Sequence, residues 1–139
     1  AGAAGLAAAL KESVQHMENE ENYIRALRDK LQNAITHAIP DAIVNTHEPA
    51  LASHLHVSFP GTDGDSLIML LDTRGFAVAT GSICHAGVNR LSHVLEAMGV
   101  DEAYGRGSLR FSLGRETTES DVDALIATLP EVIELARGV

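Results

Sequence analysis

Residues 54–61 read His54-Leu55-His56-Val57-Ser58-Phe59-Pro60-Gly61. Leu55, Val57 and Phe59 alternate with His54, His56 and Ser58, the period of two that turns one face of a strand toward a core and the other away from it. Leu109, Phe111 and Leu113 repeat the pattern around Arg110 and Ser112, which predicts a second strand. After the first strand, Pro60-Gly61-Thr62-Asp63-Gly64 turns the chain, and Asp65 is placed to cap a helix over 66–72 that Gly75 ends. Residues 76–79 read as a short buried strand. A helix over 92–98 is closed by Gly99, with a further turn at 101–104.

Working outward, Leu6, Leu10, Val14, Met17, Ile24, Leu27, Leu31 and Ile35 recur at helical spacing, with Glu18, Glu20, Glu21, Arg25, Arg28 and Lys30 between them. They predict an amphipathic helix over 3–38 that stops before Pro40, whose ring disfavours helix at the residue before it. A short strand over 42–45 follows. At the other end, Thr118-Glu119-Ser120-Asp121 approximates a capping box with Asp in place of Glu, opening a helix to about residue 137. Helices at both ends of a few short strands predict an α+β domain. Its sheet is small and mainly antiparallel, with three to four strands covered by helices on one face, and the long first helix connects to something beyond.

The 139 residues suit one domain spanning 1–139. Ten Lys and Arg against 19 Asp and Glu leave a net charge of −9, without the clustered basic face of a nucleic-acid binder. No apolar run approaches the roughly 18–20 residues of a membrane span. The small apolar start, Ala1 to Leu10, lacks the basic residues of a signal peptide, and the chain reads as a fragment beginning inside an element. A single cysteine in a chain that is 45% apolar and 21% charged fits a reducing, cytoplasmic setting.

That cysteine, Cys84, lies in Ala79-Thr80-Gly81-Ser82-Ile83-Cys84-His85-Ala86-Gly87. A thiol is nucleophilic as the thiolate, which requires solvent access and nearby positive potential to lower its pKa from about 8.5. The glycines and the polar flanks favour a reactive thiol over a buried structural one. His85 and His93 are candidates for electrostatic support, with plain exposed side chains as the alternative. Seven histidines invite a metal site, but no spacing among them supplies convergent ligands, and no metal is expected. Asp63 and Asp65 read as a turn and a cap rather than calcium ligands.

Several segments together resemble the cysteine desulfurases of the long-loop group, within the class V aminotransferases. They are Val57-Ser58-Phe59-Pro60-Gly61, Leu67-Ile68-Met69-Leu70-Leu71-Asp72, Thr80-Gly81-Ser82-Ile83-Cys84, Ser92-His93-Val94-Leu95 and Ala97-Met98-Gly99. To these add Ser108-Leu109-Arg110-Phe111-Ser112-Leu113-Gly114-Arg115 and Thr117-Thr118-Glu119. The match runs through essentially the whole chain in one order. It implies the small C-terminal domain of a fold-type-I pyridoxal phosphate enzyme. Cys84 would be the persulfide-forming nucleophile and Arg110 the clamp on the carboxylate of L-cysteine. The resemblance further implies a homodimer and a sulfur-acceptor protein such as an iron-sulfur scaffold.

The only lysines, Lys11 and Lys30, are not in the family's Ser-x-His-Lys context. The resemblance therefore places pyridoxal phosphate in an upstream domain, so that this chain alone neither binds it nor turns over cysteine. Departures from the family pattern are Ala50-Leu51-Ala52-Ser53 in place of Arg-Leu-Pro-Asn, His56 for Asn, Ile83 for Ala and Leu91 for Pro. The alternatives are a selenocysteine lyase or cysteine-sulfinate desulfinase of the same superfamily, and a free-standing sulfur-carrier module.

Overall fold

A computed structural model describes residues 1–80 and 92–138. Helix α1 runs over Gly2–Ala38, strand β1 over Ile43–Val44, strand β2 over His54–Ser58 and helix α2 over Gly64–Asp72. Short helices α3, His93–Ala97, and α4, Glu102–Gly105, precede strand β3, Ser108–Ser112, and helix α5, Glu119–Arg137, closes the chain. Among the described residues the sheet has three strands in the order β1-β2-β3, each pair antiparallel. The α+β architecture expected from the sequence is the one observed.

Register follows from the alternating pattern. Leu55 stands opposite Phe111 and Val57 opposite Leu109, so these four share one face, and all are buried against α1, α2 and α5. Each such side chain contributes about 1.5–3 kcal/mol on burial, and a slip of one residue would exchange the whole set for histidine, serine and arginine. Helix α1 uses only its second half for this core, through Ile24, Leu27, Leu31 and Ile35. In its first half Leu6, Leu10, Val14 and Met17 remain 60–72% exposed. Arg115, just past β3, holds this half by ion pairs to Glu12 at 3.1 Å and Glu20 at 2.8 Å. The expected capping box opens α5: Thr118 Oγ1 accepts from the Asp121 amide, and the Thr118 amide donates to Asp121 Oδ2 at 2.8 Å.

Three local expectations are corrected. Asp63, not Asp65, caps α2, because its carboxylate accepts from the Ser66 amide at 2.9 Å, and the helix starts at Gly64. This interaction, with the Ser66 hydroxyl first among its causes, holds the Asp63 carboxyl below its ordinary pKa. Residues 76–79 do not form a strand. Only Ala79 bridges to β3, opposite Arg110, since the preceding residues diverge and leave a groove of about 370 Å³ lined by Phe76, Val78 and Leu113. The turn expected over 101–104 is the short helix α4, capped by Asp101.

Gly107 fixes how β3 departs from the turn after β2. Its carbonyl accepts from the Phe59 amide at 2.8 Å. A Cβ there would press on the Thr62 hydroxyl and lie 2.6 Å from Phe59 O and 2.7 Å from Thr62 O. Two of these contacts are backbone, which cannot rotate away. Gly107→Ala is expected to lower stability by about 1–3 kcal/mol, read as a lower urea midpoint at unchanged slope. Gly114→Ala, where a Cβ would meet nothing within 4 Å, is the control expected to leave the midpoint in place.

Candidate functional site

The face of the sheet turned away from the core carries the polar residues. His54 stands opposite Ser112, His56 opposite Arg110 and Ser58 opposite Ser108. Beyond the end of β1 the Asn45 amide donates to the His56 carbonyl at 2.9 Å. On the far edge the Arg110 amide donates to the Ala79 carbonyl at 2.6 Å. Asn45, His56, Arg110 and Ala79 therefore form one rung across the sheet.

Asn45 is buried and works as a clamp. Its side-chain amide reaches Ser58 Oγ at 2.8 Å and His56 Nδ1 at 3.0 Å, while the His56 backbone amide donates to Thr46 Oγ1 at 2.8 Å. The imidazole is thus held on one side by Asn45 and faces Arg110 on the other. Burial, and after it the Arg110 charge, pushes the His56 pKa below its ordinary value, so the ring is neutral at pH 7. Among the described residues, two nitrogens of this rung are buried without a hydrogen-bond partner, His56 Nε2 and Arg110 Nε. Most buried polar atoms are paired, so two orphans on residues paired across the sheet make this rung the candidate site.

Of the residues singled out in the sequence, Arg110 is in this site, half-buried on β3. His93 is the exposed first residue of α3, behind the capping Ser92. Cys84 and His85, with Ile83 and Leu91, lie outside the described residues. His54 bonds to its neighbour, Ser53 Oγ, at 2.8 Å through Nδ1, and shares no bond with His56. The sequence reading missed Asn45 and Thr46 as partners of His56, and Ser58 as the second acceptor of the Asn45 amide. The outward half of the β2 alternation could have pointed to Ser58, but no spacing rule relates 45 to 56.

The class-V aminotransferase profile matches residues 1–125. The chain is 45% identical to an IscS-like cysteine desulfurase of Mycobacterium tuberculosis, over 99% of this chain and 35% of that protein. It is 36% identical to the cysteine desulfurase NifS of Azotobacter vinelandii, over 97% and 34%. A solved NifS-like protein superposes with a TM-score of 0.80 at 30% identity, covering 94% of this chain and 33% of the other. The chain thus spans about a third of the length of the curated relatives it matches.

Proposed function

Because the chain belongs to the class-V aminotransferase family, we propose that it is part of a cysteine desulfurase in which Arg110 anchors the carboxylate of L-cysteine and Cys84 accepts the sulfur. The observation that carries this reading is Arg110 itself, a half-buried guanidinium with an unpartnered Nε on the rung that ends at Ala79. Cys84 is five residues beyond Ala79 in sequence, and covalent geometry keeps its Cα within roughly 18 Å of that edge.

In this reading the Cys84 thiolate attacks the sulfur of the substrate. An S–S bond forms as the substrate's carbon–sulfur bond breaks, and the bonding pair stays on the carbon, which takes up a proton to give alanine. Cys84 is left as a persulfide, to be passed to an acceptor such as an iron-sulfur scaffold protein. His85 and His93, close to Cys84 in sequence, are the candidates for electrostatic support of the thiolate. The backbone of Arg110 is fixed by its pairing with Ala79 and His56, and its planar fork suits a carboxylate.

The family's cofactor, pyridoxal phosphate, supplies the electron sink that the broken bond needs. The lysines here do not fit it. Lys11 is exposed on α1. Lys30 pairs with Asp123 and Glu119, whose hydrogen bonds raise its pKa above the ordinary value, whereas an imine-forming lysine needs it lowered. The described residues do not hold this group.

Treatment of the full protein with L-cysteine, followed by peptide mass spectrometry under non-reducing conditions, tests the proposal. The peptide containing Cys84 is expected to gain one sulfur atom as alanine is released. Alanine release with an unmodified Cys84 peptide would overturn the reading. A persulfide that appears only when a separate catalytic chain is added would make this chain a sulfur carrier.

A further inference from the structure

The Asn45 amide has two hydrogens, and the structure gives it two acceptors, Ser58 Oγ at 2.8 Å and His56 Nδ1 at 3.0 Å. With Nδ1 accepting, the proton of the neutral ring sits on Nε2. His56 Nε2–H and Arg110 Nε–H are then both donors. Both are buried, both lack an acceptor among the described residues, and their residues are direct partners across β2 and β3. Leaving a buried donor unmet is unfavourable, because it gives up hydration without a replacement bond, and here two are left unmet on one rung.

The group that completes such a pair is an acceptor with two oxygens. A carboxylate has two oxygens and no donor when ionised. Its single negative charge balances the single positive charge of Arg110 beside a neutral imidazole, whereas a doubly charged phosphate would be left half-neutralised. Asparagine, the residue the family resemblance sets at position 56, ends about where histidine has Nδ1 and brings no donor out to the ε position.

We propose that His56, through Nε2–H, binds the substrate's α-carboxylate jointly with Arg110 and strengthens recognition of that group. The inference rests on the desulfurase reading above, and it adds a binding residue that the nucleophile-and-arginine account does not contain.

The test compares L-alanine, the product, with L-alaninamide, which lacks the carboxylate charge, by calorimetric binding to the cofactor-loaded full protein. His56→Asn keeps a partner for Asn45 but removes the ε donor, and it is expected to weaken L-alanine binding by about 10-fold or more with L-alaninamide unaffected. His56→Gln carries an amide N–H out to the ε position and is expected to stay within about 3-fold of the parent protein. In turnover, His56→Asn raises KM for L-cysteine and leaves kcat near the parent value. An unchanged preference for L-alanine in His56→Asn, or an equal loss in His56→Gln, overturns the proposal.

Arg110→Lys separates the two levels. If it weakens the preference while both His56 variants keep it, the desulfurase reading stands and this inference fails. If no variant changes the preference, the carboxylate is bound elsewhere and both fail. A measurement free of substitution uses histidine labelled with 15N. The Nε2 proton of His56 is expected to shift downfield on addition of L-alanine and not of L-alaninamide, and a proton that stays in place overturns the proposal.

Discussion

Cys84→Ser in the full protein is expected to lower L-cysteine turnover by roughly 1,000-fold or more, with alanine release and persulfide lost together. The physical reason lies in the acceptor atom. Sulfur transfer needs a thiolate, which a thiol of pKa about 8.5 supplies once its surroundings lower that value. A serine hydroxyl is not ionised near neutral pH, and its oxygen is a poor partner for sulfur. Because Cys84 is the chain's single cysteine, no other thiol of these residues can substitute. Binding of L-alanine should be unchanged in this variant, since the anchor lies on β3. A Cys84→Ser protein that retains a tenth or so of the parent rate would move the sulfur-accepting role to another group.

Arg110→Ala is expected to cost roughly 100–1,000-fold in kcat/KM, from the loss of two charge-assisted hydrogen bonds. Arg110→Lys should recover only part of this, because an ammonium restores the charge without the planar fork. The backbone of residue 110 continues to pair with Ala79 in either variant, so the sheet edge is preserved and the loss reads as binding rather than unfolding. The alanine variant carries an independent signature. Burial is the first cause of the lowered His56 pKa and the Arg110 charge the second. Removing the guanidinium should therefore raise the His56 pKa toward, but not to, its ordinary value of about 6.5. Titration of His56 by NMR checks this, and an unmoved pKa would separate the two residues despite their register.

Much of this architecture was open to reading along the chain. The alternation at Leu55, Val57 and Phe59, and again at Leu109, Phe111 and Leu113, belongs to strands that bury one face. The helical recurrence from Leu6 to Ile35 belongs to α1, and Thr118 with Asp121 marked the start of α5. Each of these signals is local, carried by residues a few positions apart. The misreadings are local contests that tertiary contacts decided. Asp63 and Asp65 are both plausible caps, and Asp63 takes the role with the Gly64 amide donating to the Arg106 carbonyl at 2.9 Å. Residues 76–79 have the composition of a strand, yet only Ala79 meets a partner, because β3 offers that edge at Arg110.

The candidate site divides the same way. By itself the sequence determined that a lone thiol, a strand-borne arginine and two outward histidines exist, and its motifs carried the family resemblance. The tertiary structure alone decided that His56 and Arg110 share a rung, that Asn45 Nδ2 meets His56 Nδ1, and that two buried nitrogens there have no hydrogen-bond partner among the described residues. The reason is that register is a non-local quantity. It is set when Leu55 and Val57 find Phe111 and Leu109 across the sheet and the helices close over them, and the polar face takes its pairings as a consequence.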